Sequence, residues 1–158
     1  MPSTSSNDTI TFAFKKRNIS YKFISDIIKW YTDGEYSHVA IIVDIDGIST
    51  AYEALGTQNA VVKHTHIYDY TMYDYIRVPV NDISIIKAFL ESTVGDKYDY
   101  YAIVGFIVPI RDRLDLWICS ELAANTLKID GNELLWKREP YRCSPNSFYK
   151  LLATKYLH

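Results

Sequence analysis

The chain has 158 residues, 48% of them hydrophobic and 23% charged, with a formal net charge of −2. That length suits one compact domain with a real core, and so large an apolar share excludes a disordered chain. The near-neutral balance provides no basic surface for nucleic acid or for an anionic membrane.

The opening MPSTSSNDT is small and polar, so residues 1–8 are expected to form a flexible tail ahead of a single domain over residues 9–158. It has neither a basic n-region nor an apolar h-region. The expectation is synthesis in the cytoplasm without a signal peptide, with the final site of action left open. Thr9–Phe14 (TITFAF) reads as a strand that ends at the charged Lys15–Arg17. Asn18 or Ser20 can cap a helix over Tyr21–Tyr31, where Phe23, Ile24, Ile27, Ile28 and Tyr31 fall at helical spacing, and Asp33-Gly34 ends it.

A β-rich middle follows. Ser37–Ile45 (SHVAIIVDI) is a strong strand pattern, Asp46-Gly47 is a hairpin turn, and Ile48–Ala54 returns as the antiparallel partner. Ala60–Thr65 and Tyr73–Val80 are expected to complete a meander, with Pro79 marking an edge or an exit. The dense tyrosines Tyr68, Tyr70, Tyr73 and Tyr75 are read as strand composition on a half-buried surface.

The second half reads as mainly helical. Asp82 can cap a helix over Ile83–Thr93, Gly95-Asp96 breaks the chain, and a short helix is expected over Tyr98–Gly105. The longest apolar run, Ala102–Ile110, is far short of the roughly 20 residues that span a membrane, so no transmembrane segment is expected. Pro109–Asp115 reads as a loop carrying Arg111 and Arg113. CSELAANTLK, from Cys119, then places Leu122, Ala123 and Leu127 on one helical face. Gly131 stops that helix. Ser144-Pro145 starts the last one, through Leu152, with serine as N-cap and proline at the first helical position. The class is α+β: a helix, an antiparallel meander or barrel, then packed helices.

Two cysteines, Cys119 and Cys143, make no disulfide framework, and a reduced intracellular protein is the simpler reading. Cys119 stands at the first turn of its helix. There the partial positive charge favours a thiolate, and amides without intrahelical acceptors can hold an oxyanion. A thiol nucleophile also needs an imidazole. His158 is terminal. His64 and His66 share one strand face as half of a metal motif, but no further histidine pair completes it, and Lys63 and Thr65 suggest an exposed edge, so no metal is expected. His38 opens the apolar strand SHVAIIV. Pairing about the Asp46-Gly47 turn sums to about 93, which sets His38 near Leu55, with Glu53 on the same face. Glu53 can then accept a hydrogen bond from the imidazole and orient it, as the carboxylate does in a triad.

Three phrases in this order, Y-S-H-V-A-I at Tyr36–Ile41, Y-E-A at Tyr52–Ala54 and C-S-E-L at Cys119–Leu122, resemble the YiiX/YebB-like permuted branch of NlpC-type papain-like cysteine hydrolases. G-D-K-Y-D-Y at Gly95–Tyr100 and S-P-N-S-F at Ser144–Phe148 are similar to segments of that family as well. The resemblance covers roughly residues 9 to 152. It implies a circularly permuted papain-like fold, in which the histidine strand precedes the cysteine helix. It also implies Cys119 as nucleophile, His38 as general base and Glu53 as the orienting residue. Tyr98, Ser37 and Ser120 are the candidate substrate contacts. Glu121 turns away from Cys119 along the helix and is read as favouring the helix N-terminus. Cys143 matches no motif. The implied reaction needs no cofactor and acts on a peptide or acyl-amide substrate, a cell-wall peptide or an N-acyl amino acid. Two alternatives remain at this point. One is an acyltransferase like the lipid-modifying relatives of lecithin–retinol acyltransferase, whose N-C-E-H-F-type phrase is replaced here by I-C-S-E-L. The other is an inactive module that binds a peptide or partner. Oligomeric state is left open.

Overall fold

A computed structural model describes residues 8–16, 34–66, 70–98, 116–140 and 143–157. The expected helix over Tyr21–Tyr31, the loop Pro109–Asp115, His158 and nearly all of the N-terminal tail lie outside them. Strands β1 (Thr9–Lys16), β2 (Tyr36–Ile45), β3 (Ile48–Leu55), β4 (Ala60–Thr65) and β5 (Tyr73–Pro79) build one antiparallel sheet in the order β4-β3-β2-β1-β5. Three helices are described: α1 (Ile83–Thr93), α2 (Cys119–Ile129) and α3 (Pro145–Tyr156). A short parallel pair, β6 (Lys97–Tyr98) and β7 (Leu116–Trp117), leads into α2.

The hairpin between β2 and β3 follows the expected register, with Ile41 opposite Tyr52 and Ile45 opposite Ile48. Asp46 and Gly47 both have positive φ, 53° and 80°. A two-residue turn needs this to match the right-handed twist of its strands, and aspartate followed by glycine supplies it at little cost.

The meander is shorter than expected. It runs through β2, β3 and β4, but β5 does not join β4. It crosses to the far side of the sheet and pairs with β1, Phe12 opposite Ile76 and Thr9 opposite Pro79. The reason lies in β1. Phe12, Ala13 and Phe14 are all buried, so both faces of this strand are covered, the pattern of an interior strand with neighbours on each side. Pro79, without an N–H, ends the outer strand β5, where an edge tolerates it. Tyr98 itself lies in β6, opposite Trp117; the rest of the short helix expected over Tyr98–Gly105 lies outside the described residues.

The main core forms on one face of the sheet. Ile10, Phe12, Phe14, Val39, Ile41, Tyr52 and Ile76 meet Ile86 and Leu90 of α1, Leu122, Ala123 and Leu127 of α2, and Phe148 and Leu152 of α3. Phe148 meets Phe12 edge-on at 5.1 Å, and Tyr149 meets Phe14 in the same way at 5.1 Å. The other face carries a smaller cluster, Ala13, Ala40, Ile42 and Ala51, with Tyr73 and Tyr75 packed on it.

The helix ends follow local rules. Asp82 caps α1 by accepting from the amides of Ser84 and Ile85. Ser144 and Ser147 form a reciprocal capping box at α3, with Pro145 in its first turn. Gly131, at φ 75°, follows the end of α2. Asn146 fastens α3 to β2: its side chain accepts from the Tyr36 amide and donates to the Tyr36 carbonyl, both at 2.9 Å. Gly34 makes room for it, since a Cβ there would collide with the Asn146 Oδ1.

Candidate active site

Each member of the site comes from a different element. His38 lies near the start of β2 and Glu53 near the end of β3, on the same face because their strands pair about a sum of 93. Cys119 is the first residue of α2, which packs on both strands. The Nε2 of His38 stands 2.8 Å from Oε1 of Glu53. His38 also hydrogen-bonds Cys119. With Nε2 committed to the carboxylate, Nδ1 is the nitrogen that serves the sulfur.

Cys119 and Glu53 are buried, each 5% exposed, and His38 is half-buried. Burial by itself raises a thiol pKa and lowers that of an imidazole. Here the partners outweigh it. Burial pushes the Cys119 thiol up, but the His38 charge and hydrogen bond, with the Val39 and Ser120 amides donating to the sulfur, bring it below the ordinary thiol range. Burial pushes His38 down, yet the Cys119 sulfur and then Glu53 lift it well above the ordinary histidine range. Glu53 is likewise pushed up by burial and drawn below the usual carboxylate range by His38 and His64. The arrangement favours a thiolate beside an imidazolium. The N-cap Ile118 makes no side-chain cap hydrogen bond, and the positive end of the helix favours the anion of Cys119.

The expected substrate contacts are placed less uniformly. Ser120 is fully buried and serves the site through its backbone N–H. Ser37 is half-buried and precedes His38, so alternation turns it to the opposite face. Tyr98, half-buried, pairs with Trp117, two residues before Cys119. Glu121 is buried in the first turn of α2. Cys143 joins the main core, where burial raises its thiol against the opposing pull of Arg138.

One residue of the site was missed. His64 lies on the edge strand β4, as expected, but it joins the site: its Nε2 lies 2.6 Å from Oε2 of Glu53. The signal was present. Four residues, Gly56 to Asn59, join β3 to β4, and pairing around them puts His64 opposite Ala51, one diagonal step from Glu53 on the same face. Among the described residues, no group of three or more His, Cys, Asp or Glu side chains is placed to hold a metal ion. No described helix is long and apolar enough to cross a membrane. No family model matches the chain, and no curated protein matches it in sequence.

Proposed function

We propose that this protein is a thiol hydrolase of the permuted papain-like type, cleaving an amide or isopeptide bond through Cys119, His38 and Glu53. The observation that carries the reading is His38 held between the Cys119 sulfur and Oε1 of Glu53 at the N-terminus of α2. The order of elements supports the permuted form of that fold, since the histidine strand precedes the cysteine helix in the chain.

In this mechanism the Cys119 proton resides on His38, and the thiolate attacks the substrate carbonyl. Amides at the N-terminus of α2 hold the oxyanion. His38 then gives its proton to the leaving amine, and the acyl group remains on sulfur as a thioester. Water, deprotonated by His38, attacks that thioester; the C–S bond breaks, the carboxylic acid leaves, and the thiolate beside the protonated His38 is restored. Glu53 keeps the ring oriented and its charge balanced throughout. The resemblance in sequence points to a cell-wall peptide or an N-acyl amino acid as substrate.

The test uses an activated acyl ester, p-nitrophenyl acetate, followed by intact-mass and peptide mass spectrometry. The expected result is an acyl adduct on Cys119 that forms in the wild type, is absent in Cys119→Ala, and forms at least about a hundredfold more slowly in His38→Ala. Acylation on Cys143 alone, or equal rates with and without His38, would overturn the proposal. Loss of the adduct to water without an added amine marks a hydrolase, whereas turnover only with an acceptor marks a transferase.

A further inference from the structure

We propose that His64 is a positioning residue of this site: as an imidazolium it holds the second oxygen of Glu53 and thereby fixes the carboxylate that orients His38. The inference rests on the Cys119–His38–Glu53 reading and extends it by one residue.

The argument is a count of protons. The two ring nitrogens of His64 each face an oxygen: Nε2 lies 2.6 Å from Oε2 of Glu53, and Nδ1 lies 3.0 Å from the carbonyl of Thr65. A carbonyl oxygen accepts and never donates, and so does an ionised carboxylate. Burial pushes the Glu53 carboxyl up, but the two histidines hold it below the usual range, so it is the ionised form that sits between them. Both contacts are therefore satisfied only when His64 carries both ring protons. A neutral ring would leave one nitrogen lone pair against an oxygen lone pair.

The surroundings agree. Each carboxylate oxygen has one imidazole, Oε1 with His38 and Oε2 with His64. His66, two residues further along β4, is pushed below the ordinary histidine range by burial and by the charge of His64. From β5, Tyr73 has its phenol pushed up to about 12 by burial, then by Glu53 and Tyr75. Lys15 of β1 lies across from His38. Lys63, on the other face of β4, is paired with Glu91. His64, half-buried, places its ring at the end of the Cys119–His38–Glu53 line, and removing it as a cation leaves the site one charge more negative.

Two variants separate the hydrogen bond from the charge. In His64→Ala both are lost. The lost positive charge moves both limbs of the Cys119 reactivity profile to higher pH by a fraction of a unit. The freed carboxylate also lowers kcat several-fold at unchanged KM. In His64→Gln the amide still donates to Glu53, so kcat recovers toward wild type while the shift in pH persists. Nitrogen-15 spectra of histidine-labelled protein, assigned by difference with His64→Gln, read the ring itself. Both nitrogens are expected to carry a proton in the native protein under the conditions of the kinetic assays. A neutral tautomer there overturns the inference whatever the enzyme does. An unchanged profile and kcat in His64→Ala, with a reactive Cys119 in the wild type, overturns it while leaving the triad standing. An ordinary, unreactive Cys119 in the wild type sinks the triad instead.

Discussion

Cys119 and Cys143 are both buried thiols, and their surroundings push them in opposite directions. For Cys143 burial prevails, and the thiol is the stable form. For Cys119 an imidazole and two backbone amides outweigh the same penalty, because a charge partner in a dry site acts through a low effective dielectric. Glu53 has the matching role toward His38. Replacing it with glutamine keeps a hydrogen-bonding group and removes the negative charge. In Glu53→Gln the high-pH limb of Cys119 reactivity, which reports loss of the His38 proton, is expected to fall by about one pH unit. The check is a pH series of alkylation rates. The direction is opposite to that of His64→Ala, so the two variants bracket the charge of the site.

At the scale of elements, the site depends on how strands and helices are fastened. β2 is gripped two residues before His38, where Asn146 of α3 takes both backbone groups of Tyr36. Asn146→Ala leaves a buried donor and a buried acceptor without that partner, a loss of about 2–4 kcal/mol. Ser144→Ala removes only a helix cap, about 1 kcal/mol. Urea unfolding of the two variants is expected to preserve that order; equal losses would deny Asn146 its fastening role. Asp130, just after α2, makes a comparable tie at the far end, accepting from the amides of Asn81 and Asp82 at 2.9 Å. Such ties span 48 to 110 residues of sequence, and no local pattern announces them.

Over the whole molecule, what could be read from the sequence was what is local or set by a short turn. Asp82, Ser144-Pro145 and Asp46-Gly47 fix element ends through neighbours two or three residues away, and those ends fall where expected. The His38–Glu53 contact was legible for the same reason, because a two-residue turn sets the register. The place of β5 was not, since joining β1 rather than β4 depends on which edge is open once the chain has folded. The place of Tyr98 in β6 was not legible either, because a two-residue parallel strand has no periodicity of its own. His64 needed two hairpins to be registered together, each one carrying the error of the other.

The central claim is that folding, by bringing β2, β3 and α2 together, turns Cys119 into a thiolate. Site-resolved alkylation tests it most directly. Native and urea-unfolded protein are treated with limiting iodoacetamide from about pH 5 to 9, spanning the ordinary thiol value of about 8.5. Cys119 and Cys143 are then quantified separately by mass spectrometry. Cys119 is expected to react at acidic pH in the native protein, to lose that reactivity in His38→Ala, and to match Cys143 once unfolded. A native Cys119 that follows Cys143 across the whole range, or that reacts equally without His38, would contradict the account.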